Sequence, residues 1–125
     1  MKIKGLVPML ETEKLRETVA FYSDVLGFEA RDYYPDEENA CWVSVWNGDC
    51  EIGFGLKSEQ SEVPGIGMTG SLYMHVGNID EMWERVKDKA DIMFEPQDMA
   101  YDMREFGIAD PNGYAIIFGQ DISKK

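Results

Sequence analysis

The sequence predicts an α+β fold: two βαβββ modules whose strands form a curved mixed sheet around a cup, with the helices on the outer face. Three observations predict it. The order strand, helix, strand, strand, strand can be read twice along the chain. Leu10, Leu15 and Val19 recur as Met74, Ile79 and Trp83, each 64 residues further on. A polar stretch with Pro64, Gly65, Gly67 and Gly70 separates the copies. One domain over residues 1–125 is expected, with module one at about 1–57, a linker at 58–70 and module two at 71–125.

Each element has a local reason. Leu6 to Leu10 reads as a short strand, with Pro8 where a missing N–H is tolerated. Thr12 is a candidate helix cap. Leu15, Val19, Tyr22 and Leu26 then follow helical spacing, and Gly27 ends the helix in the left-handed region. Phe28 to Tyr34 is a second strand, and residues 35–39 form a solvated loop. Cys41 to Trp46 and Cys50 to Leu56 form a hairpin across Asn47-Gly48-Asp49, since Asn-Gly is the strongest short hairpin signal. In module two, Leu72 to Val76 is a strand. Asn78 with Glu81 three residues later opens a helix with apolar Ile79, Met82, Trp83 and Val86. Ile92 to Glu95 is a strand ended by Pro96, and residues 97–101 are a loop. Arg104 to Ala109 and Tyr114 to Phe118 are the last strands, joined by the turn Asp110-Pro111-Asn112-Gly113.

Composition narrows the function. Apolar residues make up 44% and charged residues 29%, and no apolar run is long enough to span a bilayer. No apolar segment with a cleavage site follows Lys2 and Lys4, so a cytoplasmic location is expected. With 24 acidic against 12 basic residues the formal charge is −12, which disfavours nucleic acid and anionic membranes as partners. The charge serves solubility or attracts a cation. Cys41 and Cys50 have no metal or redox spacing and are expected to be buried free thiols.

One unit cannot bury both its helix and the other side of its sheet, so two copies, or two chains, must curl together and leave a concavity. Strand alternation assigns Val43, Val45, Ile52, Phe54, Leu72, Met74, Val76, Phe106 and Ile108 to the core. Met9, Trp42, Trp46, Glu51, Tyr73, His75, Glu105 and Ile117 then face the cup and are the candidate ligand-binding residues. Trp42, Trp46 and Tyr73 offer stacking surfaces, and Glu51 and Glu105 offer negative charge, a combination suited to an aromatic cation. The same aromatics would also serve as plain packing. His75, the single histidine, reads as a metal ligand or base, or as a hydrogen-bonded structural residue. Arg104-Glu105 reads as a polar clamp or an ion pair.

Residues 7–28 (VPMLETEKLRETVAFYSDVLGF), 71–86 (SLYMHVGNIDEMWERV) and 103–120 (MREFGIADPNGYAIIFGQ) resemble the vicinal-oxygen-chelate superfamily of glyoxalases, dioxygenases and bleomycin resistance proteins. Val7-Pro8 and Arg104-Glu105-Phe106 look most like the bleomycin resistance branch. In the metal enzymes of the superfamily, the resemblance puts ligands at Val7, Ser71, Ile117 and either Glu51 or Gly53. Valine and isoleucine cannot ligate, and a divalent catalytic site needs about three protein ligands. No metal, cofactor or catalytic residue is therefore expected. The resemblance implies a homodimer that sequesters a small, cationic, bleomycin-like antibiotic. The alternative is a metal-dependent lyase or oxidoreductase of the glyoxalase or dioxygenase type, built on His75, Glu51 and Glu105.

Overall fold

The computed structural model describes residues 1–59, 61 and 65–124. The chain divides into two compact units, Met1–Ile66 and Gly67–Lys125. The boundary falls inside the predicted linker at 58–70, of which residues 60 and 62–64 lie outside the described residues.

The first unit contains β1 (Met9–Thr12), α1 (Leu15–Ala20) with a π-helical continuation over Phe21–Val25, β2 (Glu29–Tyr34), β3 (Trp42–Asn47) and β4 (Cys50–Leu56). Its sheet has the order β1-β4-β3-β2. β1 runs parallel to β4, and the other pairs are antiparallel. The widened turn of the helix is visible in the bond from the Leu26 N–H to the Phe21 carbonyl at 3.3 Å. Gly27 then leaves the helix at φ 79°, a conformation that a side chain would disfavour. Tyr22, fully buried, sets its ring against Phe28 at 5.5 Å and Phe54 at 4.9 Å. With Leu15, Leu26, Val43, Val45 and Ile52 these residues form the core between helix and sheet.

The second unit repeats this plan. It holds β5 (Leu72–His75), α2 (Ile79–Val86), β6 (Asp91–Asp98), β7 (Met103–Ala109) and β8 (Ala115–Asp121), with sheet order β5-β8-β7-β6. Trp83 of α2 meets Phe106 at 5.2 Å, and Phe106 meets Phe118 at 5.1 Å. The repeat extends to register. Met9 pairs with Gly53 and Leu10 with Phe54, while Tyr73 pairs with Ile117 and Met74 with Phe118. The two helices begin at Leu15 and Ile79, the predicted 64-residue offset. Both units are thus open mixed sheets with a helix on one face, the α+β class the sequence predicts.

Four local expectations are corrected. The first strand begins at Met9 rather than Leu6, and Leu6 and Val7 are exposed ahead of it. Thr12 is not the helix cap: Lys14 occupies that position, and Thr12 Oγ1 accepts from the Lys14 N–H at 3.0 Å. Pro96 does not end its strand, because β6 is an edge strand with a register shift between Phe94 and Gln97, where a missing N–H costs no ladder bond. Cys41 and Cys50 are exposed rather than buried: one precedes β3 and the other stands at the hairpin end opposite Asn47.

Two predicted start and turn signals work as expected. Asn78 Oδ1 accepts from the Glu81 N–H at 3.1 Å and caps α2. Asp110 Oδ1 accepts from the N–H groups of Asn112 and Tyr114 at 2.8 and 2.9 Å, which closes the Asp-Pro-Asn-Gly turn.

Candidate functional site

The face of each sheet turned away from its helix collects the predicted residues, four in each unit. In the first unit they are Met9, Trp42, Trp46 and Glu51; in the second, Tyr73, His75, Glu105 and Ile117.

On the first sheet, Trp46 stands between two carboxylates. Its cross-strand partners are Glu29 on β2 and Glu51 on β4, and directly paired residues share a face. A bulge in β2 between Ala30 and Asp32 adds one residue, Arg31, and turns it onto this side. Its guanidinium lies over the Trp46 ring, 4.8 Å from the centroid, with Glu29 at 3.7 Å. The Trp46 Nε1–H donates to Ser44 Oγ at 3.1 Å, and Ser44 Oγ donates to Asp32 Oδ2 at 3.3 Å. Indole, hydroxyl and carboxylate therefore form a chain that fixes the ring. Trp42, four residues earlier on β3, shares the face but has no such partner: its Nε1 is shielded from solvent and makes no hydrogen bond.

On the second sheet the acid is enclosed. Glu105 is only 3% exposed. Tyr73 Oη donates to its Oε2 at 2.7 Å, and Tyr101 Oη donates to its Oε1 at 2.9 Å. Desolvation, then the hydrogen bond to Glu105 and its charge, push the Tyr73 phenol up to about 12. The Tyr101 phenol is raised chiefly by its own bond to Glu105. Tyr73 lies directly over the backbone of Gly119, where its hydroxyl would collide with any Cβ, and Phe94 covers Gly107 in the same way. His75 sits edge-on to Tyr73 at 5.1 Å and is exposed. Ile117, half-buried, pairs with Tyr73.

The proposed partnership of Arg104 with Glu105 is corrected. Neighbouring residues of a strand point to opposite faces. Arg104 instead forks onto Asp98 at 2.6 and 3.3 Å and reaches Asp80 at 3.2 Å. Sequence reasoning missed Arg31, which a bulge re-aims, and Tyr101, which a loop brings back to Glu105; neither follows from alternation.

The positions that the resemblance assigns to a metal do not fit one. The register equivalence of Met9–Gly53 with Tyr73–Ile117 makes Gly53, rather than Glu51, the counterpart of Ile117. The four positions thus hold valine, glycine, serine and isoleucine, which offer no carboxylate, thiolate or imidazole. Among the described residues no three His, Cys, Asp or Glu side chains gather in a way that would hold an ion.

A hollow of about 660 Å³ lies elsewhere in the first unit, lined by Leu15, Arg16 and Val19 of α1 with Tyr33, Glu37 and Glu38. It contains none of the converging aromatic residues, and the sheet face remains the better candidate. No helix of the described residues is long and apolar enough to cross a membrane.

Comparison with known proteins places these faces in context. No curated protein matches the chain. Among solved structures, TioX from Micromonospora sp. ML1 superposes with a TM-score of 0.76 at 20% identity, over 93% of this chain and 97% of that one. A glyoxalase/bleomycin resistance protein/dioxygenase from Nocardioides gives 0.76 at 17% identity, over 100% and 87%. A bleomycin-binding protein from Streptomyces verticillus, solved with copper(II)-bleomycin, gives 0.68 at 22% identity, over 94% and 96%. At these identities the likeness is one of fold. The family pattern reaches further, matching residues 8–118 through both repeats, and the chain belongs to the Glyoxalase/Bleomycin resistance protein/Dioxygenase superfamily.

Proposed function

We propose that this protein binds a small aromatic cation of the bleomycin type and holds it without transforming it. The observation that supports this most is the Arg31 guanidinium stacked on Trp46, with Glu29 and Glu51 as the flanking cross-strand residues. The sheet face already accommodates a planar cation, and does so with the protein's own side chain. A ligand that displaces Arg31 finds the same indole and the same carboxylates. The chain's formal charge of −12 draws cations toward it. Holding is preferred to catalysis because the metal positions of the superfamily carry no metal-binding side chains here. Association of two copies is part of the proposal on the family resemblance, and sedimentation equilibrium tests it: a mass twice that of the chain is expected, and the monomer mass would contradict it.

Calorimetric titration with copper(II)-bleomycin and with ethidium, at low and moderate salt, tests the ligand class. Saturable heat that weakens as salt rises is expected. Heat with ethidium alone would reject the antibiotic and keep the cation. No heat with either would reject the reading.

A further inference from the structure

The middle of β4 has no side chain at Gly53, and two neighbours close over the gap. A Cβ built there would stand 2.6 Å from Met9 Sδ, 3.2 Å from Met9 Cε and 3.1 Å from Trp42 Nε1. Alanine does not fit unless both neighbours move. The indole N–H and the thioether therefore converge on the Gly53 backbone.

These two neighbours differ in character. Trp42 Nε1 is closed off from water and makes no hydrogen bond, and a buried donor left unmade costs about 1–3 kcal/mol. Native structures keep few such groups without a reason. Met9 is 62% exposed and unbranched, so it can swing aside with little loss of packing. The other indole on the same face, Trp46, is bonded through Ser44, and the residue at the equivalent place in the second unit, Glu105, accepts from Tyr73 and Tyr101. The orphaned donor belongs to this one position rather than to the repeated fold.

We propose that the Trp42 indole N–H is a donor subsite for a neutral oxygen of the ligand, an amide carbonyl or a hydroxyl, which enters over Gly53 when Met9 moves away. This rests on the reading that the same sheet face holds a cation on Trp46. A carboxylate is disfavoured as the acceptor because Glu51 and Asp32 face the same side. Trp42 and Trp46 are four residues apart on β3, so their positions along the strand differ by about 13 Å. The ligand is then a molecule with a planar cation at one end and a neutral acceptor about 13 Å away, matched to the two indoles.

Three probes separate the terms: 4-(phenylethynyl)benzamidine has the cation, benzamide the acceptor, and 4-((4-carbamoylphenyl)ethynyl)benzamidine, a rigid rod long enough to reach both indoles, has both. The indole N–H resonances are followed by nitrogen–proton correlation NMR and assigned with Trp42→Phe and Trp46→Phe. The expected result is that 4-((4-carbamoylphenyl)ethynyl)benzamidine moves both resonances and binds about five-fold tighter than 4-(phenylethynyl)benzamidine, the size of one modest hydrogen bond. In Trp42→Phe that ratio falls to about one. Gly53→Ala, whose methyl fills the entry, gives the same loss of ratio by an independent route. A Trp46 resonance that moves while Trp42 stays fixed, or equal affinity for the two cations, overturns this inference and leaves the cation reading standing. If neither resonance moves with any probe, both fall.

Discussion

Tyr73 donates a 2.7 Å hydrogen bond to Glu105, a carboxylate that also accepts from Tyr101 and is almost wholly enclosed. The arrangement ties β5 to β7 across β8 and fills the second sheet's face with the protein's own groups. It also sets an alkaline limit. In the folded protein the Tyr73 phenol is raised from 10.0 to about 12, by desolvation first and by Glu105 second. Below pH 10.0 both folded and unfolded chains keep the proton, and the stabilisation is complete. As pH climbs from 10.0 toward 12, the unfolded chain ionises first, so stability falls and the contribution is gone once the folded phenol ionises. Spectrophotometric titration of wild type against Tyr73→Phe should show one late-ionising phenol missing from the variant. An unchanged titration curve would contradict the assignment.

The carboxylate can be tested from the other side. Glu105→Ala leaves two phenol hydroxyls without their acceptor, and a loss of about 1–3 kcal/mol is expected in urea unfolding. Glu105→Gln retains an acceptor oxygen and a donor, so it should cost less. It should also return the Tyr73 phenol toward its ordinary value, because the charge has gone. Equal losses in the two variants would mean that the carboxyl group acts through its volume and not through its bonds.

Gly107 and Phe94 form a second such contact. A Cβ at Gly107 would meet Phe94 Cε1 at 2.5 Å and Cδ1 at 2.9 Å. Gly107→Ala is expected to destabilise by about 1–3 kcal/mol through overpacking, and Phe94→Leu in the same chain should recover part of it. Additive losses would show that the ring is not what excludes the methyl.

Much of this architecture was legible in the residues. Apolar alternation and the 64-residue recurrence specified the strands, both helices and the split between faces. Asn78 with Glu81 marked the start of α2, and Asn78→Ala should cost about 1 kcal/mol of unfolding free energy; no change would remove that cap from the account. The remainder was hidden for physical reasons. A bulge breaks the period of two, so Arg31 reached the Trp46 face although alternation gave no hint of it. An edge strand tolerates Pro96, which a central strand would not. Tyr101 lies outside the strands, and only the return of its loop brings it to Glu105. Cys41 and Cys50 were misjudged because residue type says less about exposure than position at a strand end does.

The most direct test is calorimetric titration of copper(II)-bleomycin into wild type, Trp46→Ala and Arg31→Ala. Arg31 competes for the indole face, and an exposed cation–π contact is worth about 0.5–1 kcal/mol. Removing it should therefore strengthen binding about two- to five-fold, while Trp46→Ala weakens it. Binding that ignores both substitutions, or no binding to any of the three proteins, would contradict the proposal that this sheet face holds the ligand.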